Sequence, residues 1–215
     1  DKNLEKKLNK VERDKYETII SEKELDRWYS TLKKQSLISV DTETSSLDPI
    51  TADLVGISFC YAQGKACYIP LRNKNKKCLK KDVVLQKIKP ILEDKSIKKV
   101  GQNIKFDYII FFRNKIKLKS IEDTMLVSYI LDAGLNRHNL DTLSEIHLGH
   151  KTISFKDLVG SGKKKITFED VGLKEATEYA GEDADVTFRL YNLLKERLDK
   201  EKLTKIYEVF EKPMV

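Results

Sequence analysis

Long apolar runs are missing from this chain: nowhere in its 215 residues does a stretch approach the roughly 20 uninterrupted apolar residues that span a bilayer. The opening residues, Asp1 to Lys15, are charged rather than signal-like, so a soluble, intracellular protein with no membrane partner is expected. Cysteine is scarce as well. Cys60, Cys67 and Cys78 form no CxxC pair and are odd in number, which argues against a disulfide framework and against a thiolate zinc site. No internal repeat, low-complexity tract or phosphate-cradling glycine loop is present. Arginine is also sparse: 34 of the 41 basic residues are Lys, spread along the whole chain. The net charge of +7 suits a polyanionic partner, yet lysines without clustered arginine support nucleic acid only weakly, because bidentate phosphate recognition favours Arg.

What is present suffices for one α/β domain, since 215 residues with 40% apolar content can bury a sizeable core. Residues 1 to about 17 alternate charges with few apolar anchors and read as an exposed helix or a linker; the end at Glu211-Lys212-Pro213-Met214-Val215 stops abruptly after a helical pattern. Both ends look like cuts within a longer protein. Leu37 to Glu43, Leu54 to Ala62 and Ala66 to Leu71 read as strands, the last two joined by a turn at Gln63-Gly64. Asp82 to Leu92 has helical periodicity, Ile97 to Gly101 is a short strand, and Ile104 to Arg113 and Thr124 to Leu131 are helices. The order is βββαβα followed by helices. After a polar stretch around Gly160 to Lys165, a long helix from about Leu173 to Leu198 carries Gly181 as an internal weakness.

Carboxylates stand where this pattern places the interior. Asp41 and Glu43, two apart at the end of a strand, point to one face, although an Asp-x-Glu there often only begins a loop. On the long helix Tyr179, Asp183, Val186, Leu190 and Leu193 form one stripe, and Glu182, Asp185, Arg189, Asn192 and Glu196 form a polar one. Asp183 thus falls on the apolar side, where an ionised carboxylate calls for a metal, backbone amides or an Arg. Asn103 and Asp107 share a helix face; Asn103 could equally be an N-cap, and Asp107 a favourable first-turn charge.

Together, Asp41-Thr42-Glu43, Asn103-x-x-x-Asp107 and Tyr179-x-x-x-Asp183 resemble the ordered motifs of the DEDD exonuclease superfamily in its tyrosine-containing branch. The phrases "DTETSSLDPITADLVGISF", "VGQNIKFD", "DTMLVSYILD", "HKTISFKDLVGSGKKKITF" and "YAGEDADVT" resemble more closely the exonuclease domain of the bacterial DNA polymerase I family. The likeness runs from about residue 17 to 215, and the closing "FEKPMV" resembles the start of that family's polymerase domain.

The resemblance implies an RNase H-like fold, a mixed sheet flanked by helices, with the carboxylates at one edge. It implies an exonuclease domain over 18–207, with 208–215 leading to a covalently linked polymerase domain, in a monomeric, cytoplasmic, nucleoid-associated protein of replication and repair. The implied substrate is a single-stranded or frayed DNA 3′ end. Two divalent ions, Mg²⁺ or Mn²⁺, are implied as cofactors: Asp41, Glu43 and Asp183 would bind one, Asp41 and Asp107 the other, with Asp107 acting through water. Tyr179 would position the attacking water. Leu47 and Phe155 match positions that pack on terminal bases; Thr42, Gln102, Asn103, Lys105 and Arg137 match positions near the substrate. Phe106 stands where the family often has tyrosine, and Gly181 where it often has alanine, a change expected to loosen the motif helix. Two rival readings are a stand-alone ribonuclease of the RNase D type and a non-catalytic spacer; retention of all four carboxylates weighs against the second.

Overall fold

The computed structural model describes residues 11–74, 76, 78–162 and 165–214. Along the chain run β1 (Glu17–Thr18), α1 (Glu22–Leu32), β2 (Leu37–Thr44), β3 (Leu54–Ala62), β4 (Lys65–Pro70), α2 (Lys81–Leu92), β5 (Lys98–Gly101) and α3 (Ile104–Arg113). They are followed by β6 (Ile121–Asp123), α4 (Thr124–Asp132), α5 (Leu140–Leu148), α6 (Phe155–Val159) and α7 (Leu173–Lys200). The expected βββαβα order is present from β2 to α3. The sheet runs β1-β4-β3-β2-β5-β6, antiparallel across β4, β3 and β2 and parallel at β1–β4, β2–β5 and β5–β6.

Side-chain alternation along the strands divides the core between two layers. Val40 of β2, Phe59 of β3 and Ile69 of β4 join Leu25, Trp28 and Leu32 of α1, Ile88 of α2 and Ile110 of α3 in one cluster. On the opposite face Val55 and Tyr68 pack against Ala176 and Ala180 of α7, and Cys60 and Ala66 against Ala184 and Phe188. Ser39, from the α7 face of β2, donates to the Ala184 carbonyl at 2.7 Å and pins the long helix over the central strand. No helix among the described residues is long and apolar enough to cross a membrane.

Two expectations are corrected. The lead-in is exposed at Asp14 and Lys15 but docked at its end: Tyr16 is 8% exposed, its hydroxyl donates to Asp185 at 2.8 Å, and Glu17–Thr18 pairs with β4. Residues 1–10 lie outside the described residues. Gly181 is no weak point, because a Cβ there would stand 2.7 Å from the Tyr16 ring; the absent side chain is what lets Tyr16 seat against α7. Of the polar stripe of α7, Glu182, Asp185 and Arg189 are buried, while Asn192 and Glu196 are exposed. Asp185 is satisfied by Tyr16, the Gly64 amide at 2.9 Å and Arg189 Nε at 2.9 Å. At the other end, Lys212 and Tyr207 both donate to Glu122 beside the end of β6, at 2.9 and 3.0 Å.

Candidate active site

The C-terminal end of β2 and the third turn of α7 meet on one face of the sheet. Strand alternation turns Asp41 and Glu43 toward α7, and the Ser39–Ala184 bond holds the helix in register so that Asp183 drops between them. Oxygen atoms of Asp41, Glu43 and Asp183 all lie within 4.8 Å of one another. Glu43 is 7% exposed, and its Oε1 is buried without a hydrogen-bond partner in the protein.

Such crowding raises the proton affinity of every member. Burial pushes the Asp41 carboxyl up to about 6. Glu43 is raised well above the ordinary carboxylate range by burial and then by Asp41, Asp183 and Asp107. Asp183 is raised by burial, then by Asp41 and Glu182, against a hydrogen bond from the Tyr179 hydroxyl. Tyr179 is itself raised by burial and by these same acids, so it stays protonated and a donor.

Asp107 arrives from the other layer. It is 2% exposed on α3, accepts a hydrogen bond from Thr42 Oγ1, and is raised by burial and by Asp41. Asn103 does not cap α3 with its side chain; it takes a left-handed backbone (φ 57°). The cap is Asp123, whose carboxylate accepts from the amides of Asn103 and Ile104, both at 3.0 Å, and of Met125 at 2.9 Å. One buried acid therefore starts both α3 and α4. Its place at the end of a strand before an apolar helix was the signal available in the sequence.

A cleft of about 900 Å³ opens over the carboxylates. Thr42, Leu47, Asn103, Phe155 and Tyr179 line it, together with Phe106, Ile166 and Phe168. Leu47 is 92% exposed at the tip of its loop. Phe155 lies parallel to Phe168 (centroids 6.4 Å, 4°) and 5.9 Å from Tyr179, forming an aromatic wall. Gln102 also lines the cleft, but its amide is engaged: Nε2 donates to His138 O at 2.7 Å and Oε1 accepts from Thr124 at 2.6 Å. Lys105 and Arg137 are exposed and are not among the lining residues.

The residues fit a metal centre. Every candidate donor is a carboxylate oxygen, the set preferred by hard divalent ions, and the orphaned Glu43 Oε1 has no other partner.

Comparison with known proteins agrees. A family model described as 3′–5′ exonuclease matches residues 16–199. DNA polymerase I of Rhizobium leguminosarum is 42% identical over 93% of this chain and 22% of its own length. DNA polymerase I of Pseudomonas aeruginosa is 39% identical over 93% of this chain and 23% of its own. The chain thus spans under a quarter of the relatives it matches. In fold it is similar to NrnC of Brucella melitensis (TM-score 0.66, 22% identical, covering 90% of this chain and 84% of that one), a protein also solved with bound Mg²⁺. That likeness identifies the mixed sheet and its flanking helices as the RNase H-like exonuclease fold. The chain belongs to the 3′–5′ exonuclease family found within bacterial DNA polymerase I.

Proposed function

We infer that this chain removes nucleotides from DNA 3′ ends as a proofreading nuclease, using divalent metal, Mg²⁺ or Mn²⁺, at two positions. Asp41, Glu43 and Asp183 would hold one ion and Asp41 with Asp107 the other. The observation that carries this reading is Glu43: a buried carboxylate among three raised acids, with an oxygen that nothing in the protein satisfies. Ions held there would supply positive charge to the attacking and leaving oxygens of an in-line displacement at phosphorus.

The chain's own groups do the rest. Tyr179, kept protonated by burial and by its acidic neighbours, orients the attacking water through its hydroxyl oxygen and does not abstract its proton. The aromatic wall at Phe155 and the apolar tip at Leu47 take up unstacked bases, which a paired end does not present, so a frayed mismatch enters more readily. These surfaces carry little base information, so hydrolysis is indifferent to sequence. The P–O3′ bond breaks as the water oxygen bonds phosphorus, leaving a 5′-monophosphate and a new 3′ hydroxyl.

Within the longer protein, residues 18–207 would be the exonuclease unit, and 208–215 would lead to a polymerase domain. The relatives in sequence are DNA polymerases, which favours DNA over RNA as substrate. Incubating the chain with matched DNA and RNA single strands and Mn²⁺ tests this: faster release of deoxynucleoside monophosphates is expected. Preference for RNA would overturn the substrate assignment.

A further inference from the structure

Glu182 adjoins the proposed ligand Asp183, whose proton affinity its charge raises, but it faces away from the cleft and is wholly buried. Three donors converge on it. Arg13 Nε and His150 Nε2 both donate to Oε1 at 2.6 Å, and the Ile153 amide donates to Oε2 at 2.6 Å. Arg13 also donates to the Lys151 carbonyl at 2.9 Å. Two of the donors, His150 and Ile153, belong to the segment between α5 and α6, and Phe155 follows Ile153 by two residues.

That segment has few other anchors. At its start Ser144 Oγ donates to the His150 carbonyl at 2.8 Å, and Thr152 donates to Asp141 at 2.6 Å. Neither reaches α7. Glu182 is the polar link between this segment and the helix that also bears Tyr179 and Asp183, alongside the apolar packing of Leu158 and Val159 of α6 on Ala176 and Ala180. A carboxylate sharing three charge-assisted or amide bonds in a dry site fixes geometry far more tightly than exposed contacts do.

We propose that Glu182 is a positioning residue for the DNA strand: by fastening the His150–Ile153 segment to α7, it holds the Phe155 ring against Tyr179 and Phe168, in register with the carboxylates. One turn of α7 thereby presents Asp183 to the scissile end and Glu182 to the wall that receives its base. The lead-in segment contributes through Arg13, which lies outside the stretch matched by the family model. The inference rests on the reading of Phe155 as a base-stacking surface.

A double-mutant cycle on single-stranded DNA, with kcat and KM measured separately, tests it. Phe155→Ala is expected to raise KM about 5- to 150-fold, the range of a lost base-stacking contact. Glu182→Ala is expected to raise KM about tenfold with kcat changed less than threefold. Glu182→Gln, whose amide oxygen still accepts from Ile153, is expected to recover part of that loss. In the Phe155→Ala background, Glu182→Ala should change KM less than twofold, because the ring it positions is gone. Multiplying effects would overturn the positioning role, as would a fall in kcat at constant KM, which would mean that Glu182 acts through Asp183. If Glu182→Ala does not fold, the same cycle with Glu182→Gln decides. An unchanged KM in Phe155→Ala alone would instead remove the base-stacking reading, and this inference with it.

Discussion

Thr42 Oγ1 donates to Asp107 Oδ1, joining a residue of the central strand to one from a helix 65 positions later. The bond crosses between layers: Asp41 and Glu43 face α7, while Thr42, between them, faces α3 and holds the carboxylate that comes from that side. It is how a site built mostly on one face of the sheet acquires its fourth acid.

Thr42→Val keeps shape and strand propensity but removes that donor. Loss of a hydrogen bond to a charged group costs about 1.5–3 kcal/mol. Activity should therefore need more Mn²⁺, with the midpoint raised at least several-fold, while the thermal midpoint falls only modestly. A Mn²⁺ titration of nuclease rate on both proteins checks this; an unchanged midpoint would deny Asp107 a share in metal binding.

Replacing Asp41 or Asp183 by Ala should lower turnover by several orders of magnitude, because each removes a ligand where catalysis rests on metal charge. Single-turnover rates at saturating DNA make the comparison. Near-normal turnover in Asp183→Ala would refute its place as a ligand.

Stability of the metal-free protein should depend on pH in a definite direction. The site carboxyls bind protons more tightly folded than unfolded, so protonation stabilises the fold. That contribution is complete below about pH 4 and is lost as pH rises, through about 6 for Asp41 and well above the ordinary carboxylate range for its neighbours. Asp183→Asn removes one such group, so its stability relative to wild type should grow with rising pH by up to about 1.4 kcal/mol per unit. Saturating Mg²⁺ should abolish the difference. Urea melts from pH 5 to 8, with chelator or with Mg²⁺, measure it; identical slopes in chelator would contradict the electrostatic account.

Tyr179→Phe keeps the ring in the aromatic wall and removes only the hydroxyl, so kcat should fall about 10- to 1000-fold with KM nearly constant. Leu47→Ala should act differently, slowing degradation of paired ends more than of single strands by roughly 1–3 kcal/mol. Assays of both variants on single-stranded and blunt duplex DNA separate the roles; equal slowing by Leu47→Ala would remove its part in strand separation.

Much of this architecture was legible in sequence because its signals are local. The two-residue period of β2 placed Asp41 and Glu43 on one face, and the stripe through Tyr179 and Asp183 marked the inner face of α7. The burial of Glu182, Asp185 and Arg189 was not legible, because α7 is covered on more than one side and periodicity reports polarity, not what packs against it. Their partners, Arg13, Tyr16 and His150, are distant in sequence and became visible only in three dimensions. β1 and β6 are two and three residues long, too short to show alternation. Lys105 and Arg137 followed from motif position alone; both are exposed and lie outside the cleft lining.

The most direct test follows 5′-labelled single-stranded DNA on a sequencing gel in the presence of the purified chain, first with chelator and then with Mn²⁺ restored. Wild-type protein should shorten the strand from its 3′ end one nucleotide at a time only when Mn²⁺ is present, and Asp183→Ala should leave it intact under both conditions. Shortening that persists in chelator, or that proceeds equally in the variant, would contradict a carboxylate-held metal as the origin of the activity.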